Sequence, residues 1–259
     1  MTAALSLGLA GALPREAVVE LARAAEEAGL HGLWLNDTPT GDSLAGLAAA
    51  AEATSRLVLG TGVIPLDRVS PAEIVARVGA LGLPHDRLVL GVGSGAARHP
   101  LPLVATGLAE LEALGDVTVV LGALGPRMRD LGARRAHGLL LSWLTPATAA
   151  AARDEAIAAA REAERSVPRV VLYARAIAEP AALPALEEEA ARYASYPSYA
   201  ANFARLGHGA LETTIRGTAP AALRAGIAAY ADAVDELVLR AITPDGSVAA
   251  VRRLLDALR

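Results

Sequence analysis

Short apolar runs alternate with longer segments of helical period from one end of the chain to the other. The runs Leu5–Ala10, Gly32–Asn36, Leu57–Ile64, Leu88–Val92, Val117–Leu121, Leu139–Trp143, Val170–Ala176 and Glu236–Ala241 are nearly continuous in apolar residues. That is the pattern of strands covered on both faces of a parallel sheet. The segments between them carry helix punctuation. Pro14–Ala28 has a proline near its start and Gly29 after its end, Asp42 opens Ser43–Ser55, Ser70 caps Pro71–Leu81, and Pro146–Arg165 is rich in Ala, Arg and Glu. Eight strand–helix units in 259 residues predict a (β/α)8 barrel, an α/β TIM barrel, with a doubly wound open sheet as the alternative. No linker divides the chain, so residues 1–259 are read as one domain. Pro180–Gly217 is longer than an ordinary crossover helix and is read as a helix broken near Pro197.

Active sites of such barrels lie where the strands end in loops at the C-terminal face. The second strand ends Trp34-Leu35-Asn36-Asp37-Thr38, and the third in Gly60-Thr61-Gly62-Val63-Ile64. The fourth ends Gly91-Val92-Gly93-Ser94-Gly95, and the fifth Gly122-Ala123-Leu124-Gly125-Pro126. Three successive glycine-rich ends let backbone approach a ligand closely, and N–H groups at a strand-to-helix turn favour an anion. Together they predict a backbone cradle for a flat, phosphate-bearing cofactor. GVGSGA at Gly91–Ala96 also fits a loose dinucleotide fingerprint, but the next strand ends without the acidic residue that motif needs.

Composition narrows the chemistry. With no cysteine and no lysine, thiolate nucleophiles, Schiff bases and a Walker-A lysine are excluded. The five histidines have no metal-ligand spacing, so no metal is expected. A net charge of −4 without a basic stripe argues against nucleic acid as a partner. No apolar run is long enough to span a bilayer and no leader pattern is visible, so no membrane partner and a cytoplasmic location are expected. Asp37 is the carboxylate that follows the second strand and the candidate catalytic group. Arg175 and Arg240 sit within strands, where an inward charge must find a partner or a pocket, and Trp143 closes the sixth strand. A cradle with few acid–base groups points to a cofactor that carries the reaction.

The stretches GLWLND, LVLGTGVIPLDRVSPAEIVARV, DRLVLGVGSG and VTVVLGALGPRMRDLGARRAHGLLLSWLTP, followed by RGTAP and DELVLRAI, resemble the bacterial-luciferase-like superfamily. The likeness is greatest to its coenzyme F420-dependent, methylenetetrahydromethanopterin reductase-like branch, and it spans nearly the whole chain. The resemblance implies a TIM barrel and a hydride-transferring oxidoreductase acting on a small organic molecule. F420 is the implied cofactor; the alternatives are FMN in a luciferase-like monooxygenase, or a barrel that binds cofactor without catalysis. It places the cofactor ring near Thr61, Gly62 and Val63, with a bulge and a non-prolyl cis peptide at Gly62–Val63. It places the phosphate on amides around Gly93-Ser94-Gly95 and Ala123-Leu124-Gly125, ahead of the helix beginning at Pro126. Arg98, Arg127 and Arg129 are placed for an acidic cofactor tail, and Trp143 and Arg175 for substrate or tail. Thr38 and Ala96 stand where several relatives carry an acid–base His and Glu. The insertion that covers the site in relatives is reduced to a single crossover, which leaves Pro180–Gly209, with Tyr193, Tyr196 and Tyr199, as either a rebuilt lid or packing. A homodimer through the Ala-rich Leu44–Ala53 face is also expected.

Overall fold

The computed structural model describes residues 3–259. All eight expected strands form, and they form one closed ring. The strands β1 (Ala4–Ala10), β2 (Gly32–Asn36), β3 (Val58–Thr61), β5 (Leu88–Gly93), β6 (Thr118–Gly122), β7 (Gly138–Ser142), β8 (Arg169–Ile177) and β10 (Glu236–Ala241) pair in parallel in that order, and β10 pairs with both β8 and β1. Closure leaves no open edge, which settles the choice against the doubly wound sheet. Two short strands lie off the ring: β4 (Ile64–Pro65) beside β5, and β9 (Ile215–Arg216) beside β8.

The helices α1 (Arg15–Glu27), α2 (Ser43–Ala53), α3 (Pro71–Ala80), α4 (Pro100–Leu111), α5 (Pro126–Arg135), α6 (Pro146–Glu162), α9 (Pro220–Ala228) and α10 (Val248–Leu258) lie along the crossovers and the chain end. Their starts are set locally. Asp42 accepts from Ala45 N at 3.0 Å, Ser70 from Glu73 N at 3.2 Å, and Thr145 and Thr148 make a reciprocal capping box at the head of α6. Gly29, at φ 76°, closes α1 in the left-handed conformation that glycine adopts at little cost.

The apolar core falls in two layers. Leu7, Leu9, Leu33, Leu35, Leu59 and Leu90 face outward under the helices, each at most 2% exposed. At about 1.5–3 kcal/mol for each such side chain, this layer is the main favourable contribution to folding. Trp34, Val89, Val120, Leu140, Val171, Tyr173 and Val238 fill the barrel interior. Beneath them, at the N-terminal end, Glu236 is fully buried and accepts from Ser6 Oγ at 2.6 Å, Trp34 Nε1 at 2.7 Å and Arg169 at 2.8 Å. A floor tied together in this way leaves the C-terminal mouth as the open end.

One segment departs from the expected boundaries, and the helix break expected near Pro197 forms. Leu57–Ile64 is not one strand: β3 ends at Thr61 and pairing resumes at Ile64. Gly60 faces Val89 and Ile64 faces Val92, so four steps on one side meet three on the other, which defines a β-bulge. The long segment after β8 is a pair of helices, α7 (Leu183–Ala194) and α8 (Pro197–Leu206), broken where Pro197 starts the second.

Candidate active site

The bulge forms one side of the mouth. Thr61 is fully buried, and its hydroxyl both accepts from Gly91 N and donates to Gly91 O, each at 2.8 Å. One side chain thus replaces the ladder where the backbone leaves register. The Gly62–Val63 peptide is cis, and Asn36 Nδ2 donates to Gly62 O. Glycines opposite make room for the bulge. A Cβ at Gly93 would lie 2.8 Å from Val63 Cγ2, and one at Gly122 would lie 2.9 Å from Val63 Cγ1. These two glycines therefore serve the packing of Val63 as well as the approach of a ligand.

A cavity of about 740 Å³ opens at this face. It runs from Asn36, Gly62 and Val63, past Gly93 to Ala97 and Gly122 to Pro126, to the wall made by α8. The two loops expected to form the phosphate cradle differ in what they offer. In the loop after β5, Gly95 has φ 58°, and the Asp67 carboxylate already accepts from Ala96 N at 2.8 Å. In the loop after β6, Gly125 caps α5 with no side-chain bond, and a Cβ there would meet nothing within 4 Å. Among the described residues, the N–H groups of Leu124, Gly125 and Arg127 have no protein acceptor. The head of α5 is thus the open anion site of the two, with helix dipole and free donors together.

The far wall comes from the helix pair after β8. Tyr193 on α7 and Ser198, Tyr199, Ala201, Asn202 and Arg205 on α8 line the cavity. Tyr193 packs on Trp143 at 4.9 Å and on Tyr199 at 5.0 Å between ring centroids, and Phe203 meets Trp143 edge-on at 6.0 Å. This aromatic cluster seats the helix pair on the end of β7, so the tyrosines both pack and cover. Arg175 projects from β8 into the same corner. It lies 3.9 Å over the Trp143 ring and donates to Ser142 Oγ at 2.6 Å and Glu189 Oε1 at 3.0 Å, which pairs its inward charge. Arg240, beside it in register, donates to Ala241 O and has no carboxylate partner among the described residues.

The expected site residues thus divide into two groups. Gly62, Val63, Gly93, Ser94, Gly95, Ala123, Leu124, Gly125, Pro126 and Arg175 line one cavity. Thr61 lies behind it, and Trp143 is buried under Arg175 with its Nε1 unpartnered. Asp37 lies outside the lining, with one oxygen 2.9 Å from Arg68 and the other accepting from Ser43 Oγ at 2.9 Å. Arg98 is exposed, and Arg127 points into an outer groove between α4 and α5. Thr38 does not line the cavity, whereas Ala96 does.

Three groups were absent from the sequence expectation. Tyr173 reaches across the barrel interior to donate to Trp34 O at 3.2 Å, and burial pushes its hydroxyl pKa well up, so it stays a neutral phenol. Asn202 and Arg205 share the lining face of α8 with Ser198, Tyr199 and Ala201. The helical spacing of those positions was the one available signal. No His, Asp or Glu is among the residues that line the cavity.

A closed parallel barrel with a cavity of about 740 Å³ at its C-terminal mouth is a (β/α)8 fold with its candidate site at the face where such barrels place theirs. The luciferase-like resemblance read from the motifs is borne out: residues 3–107 match the family model described as luciferase-like monooxygenase. A segment of 107 residues is 42% identical to the F420-dependent glucose-6-phosphate dehydrogenase of Mycolicibacterium gilvum (strain PYR-GCK). That match takes in 36% of this chain but only 30% of the dehydrogenase. Over 100% of both chains, the fold matches an F420-dependent secondary alcohol dehydrogenase in complex with an F420-acetone adduct, with TM-score 0.80 and 16% identity. It also matches the coenzyme F420 dependent tetrahydromethanopterin reductase from Methanopyrus kandleri, with TM-score 0.73 and 17% identity over 99% of this chain and 98% of that one. At these identities the two structures share the fold. Among the described residues, no helix is long and apolar enough to cross a membrane.

Proposed function

We propose that this chain is a coenzyme F420-dependent oxidoreductase that moves a hydride between the deazaflavin and a small organic substrate. One observation carries the reading: a single cavity has an apolar bulge at one end and unpartnered main-chain donors at the other. The residues fit the group. Val63 and Leu140 offer a flat ring an apolar face, and the head of α5 offers its phosphate N–H groups with open space at Gly125. When bound, F420 gives or takes a hydride at C5 of its ring. The chain's part is to bind, orient and exclude water.

The lining defines the direction of help it can give. Its protonatable side chains are tyrosines and arginines, and burial raises the Tyr199 hydroxyl pKa as it does that of Tyr173. With its hydroxyl pKa raised, Tyr199 keeps its proton at neutral pH and offers a hydrogen bond to a substrate oxygen rather than taking a proton from it. The site therefore suits reduction of a carbonyl or a conjugated double bond. Arg175, fixed by Glu189 and Ser142 and stacked on Trp143, is the donor best held in place.

Titration with oxidised F420 and, separately, FMN, followed by cofactor fluorescence, tests the reading. F420 is expected to bind at least about tenfold more tightly than FMN, a preference of roughly 1.4 kcal/mol. Tighter FMN binding would move the assignment to a flavin monooxygenase, and binding of neither would end it.

A homodimer through α2 is proposed on a narrower surface than the sequence suggested. Leu44, Leu47, Ala48, Ala49 and Ala50 are buried within the protomer, which leaves Ala45, Gly46, Ala51 and Ala53 half-open. A monomeric mass by light scattering would overturn it.

A further inference from the structure

The wall that α8 adds to the cavity carries a buried donor with nothing to bind. Asn202 is 4% exposed; its Oδ1 accepts from Arg205 at 2.6 Å, and its Nδ2 is buried without an acceptor. Both residues line the same cavity as Leu124 and Gly125. One turn into α5, Arg129 is also 4% exposed, with Nε and one terminal nitrogen unpartnered. Its nearest carboxylate is Glu155, 3.7 Å away and largely in solvent. Burial lowers the Arg129 pKa, Glu155 opposes that, and the nearby Arg205 charge adds to it. The orphaned Asn202 amide, the exposed Arg205 guanidinium and the free Leu124 and Gly125 N–H groups therefore border one cavity, with the buried Arg129 outside its lining. Leaving the Asn202 amide buried and unpaired is costly, and an anion in the cavity would satisfy it together with the free Leu124 and Gly125 N–H groups.

We propose that α8 completes the anion site: Asn202 Nδ2 and the Arg205 guanidinium bind the same phosphate group that the head of α5 receives, with Arg129 behind it as a positioning charge. The donor set selects the ligand class. Main-chain donors, an amide and a guanidinium arriving from two elements suit the several oxygens of a tetrahedral phosphate ester better than the two of a planar carboxylate. The phosphate can belong to the cofactor or to a phosphorylated substrate. Because α8 walls the cavity, phosphate binding also ties that wall to the barrel. The cofactor form of this inference rests on the F420 reading above; the anion site itself does not.

The test uses Asn202→Asp and Arg205→Gln. The first swaps the orphaned donor for an acceptor while retaining an oxygen for Arg205. Each variant is titrated with F420 and with the deazaflavin riboside that lacks phosphate, and its melting is followed with inorganic phosphate and pyrophosphate. Loss of about tenfold or more in F420 affinity, with riboside binding unchanged, is expected if the phosphate is the cofactor's. If F420 affinity is unchanged but stabilisation by phosphate and pyrophosphate is lost, the site stands and its phosphate is the substrate's. If the wild-type chain binds no deazaflavin yet is stabilised by phosphate in a manner that needs both residues, the anion site survives and the F420 reading fails. Equal losses for F420 and the riboside overturn the proposal, as does a wild-type chain and both variants that agree in every readout.

Discussion

Gly125→Asp is expected to raise the stability of the protein while removing its cofactor. Gly125 sits at φ −95° and ψ 164° as the residue before α5, and a side chain there would meet open space. That is ordinary N-cap geometry, in which an aspartate accepts from the first free N–H groups and complements the helix dipole. A gain of about 0.5–1 kcal/mol is expected, hence a rise of roughly 1–4 °C in melting temperature for a chain of this size. The same carboxylate would occupy the donors assigned to the phosphate and set a like charge against it. Two charge-assisted hydrogen bonds, each worth about 1.5–3 kcal/mol, would be lost, so F420 affinity should fall by about 100-fold or more. A rise in melting temperature with a fall in affinity separates loss of the site from loss of the fold. A variant that melts higher and still binds F420 normally would place the phosphate somewhere other than the head of α5.

That experiment rests on a loop whose meaning was only partly legible in the sequence. Eight apolar runs announced eight strands because a parallel sheet is buried on both faces, and the pairing of β10 with both β1 and β8 decided for a closed ring over an open sheet. The glycine-rich strand ends marked the mouth correctly, but glycine alone does not say what fills the space it leaves. Gly93 and Gly122 give way to Val63, the Gly95 turn is held by Asp67, and of the glycines after β5 and β6 that line the cavity Gly125 alone faces an open volume. The arginines of α5 illustrate the same limit. Arg127 and Arg129 are two residues apart, so helical geometry sends them to different faces; the first lies in an outer groove and the second is buried. Asn202 and Arg205 could not be assigned from the chain because their place depends on how α7 and α8 dock, a tertiary matter settled by Trp143, Tyr193 and Phe203. The polar floor was also unseen, because its members are spread from Ser6 to Glu236.

That floor is where a substitution should have its largest effect on stability. Glu236 is the acceptor for Ser6, Trp34 and Arg169 at the closed end of the barrel. Glu236→Leu removes all three acceptances, leaving the Trp34 indole N–H and Ser6 hydroxyl buried without partners and Arg169 without its carboxylate. Breaking a buried pair in this way costs about 3–5 kcal/mol. The Arg169 side chain is 36% exposed and can recover some solvation, which puts the expected loss near the lower limit, about 3 kcal/mol. The melting temperature should then fall by roughly 6–12 °C. Glu236→Gln keeps an oxygen for Ser6 and Trp34 but turns an amide NH2 toward the guanidinium, so an intermediate loss of about 1.5–3 kcal/mol is expected. Adding Arg169→Met to Glu236→Leu removes the stranded charge and should restore part of the loss, because an apolar pair does not need the missing carboxylate. Glu236 begins β10, whereas the cavity lies beyond the other ends of the strands, so F420 affinity should stay within about threefold of wild type while the variants remain folded. Urea melts and F420 titrations on the same preparations check both halves. If Glu236→Leu is as stable as wild type, the three bonds at the floor do not hold the ring closed. If it binds F420 much more weakly while still folded, floor and mouth are coupled through the Trp34–Tyr173 layer between them.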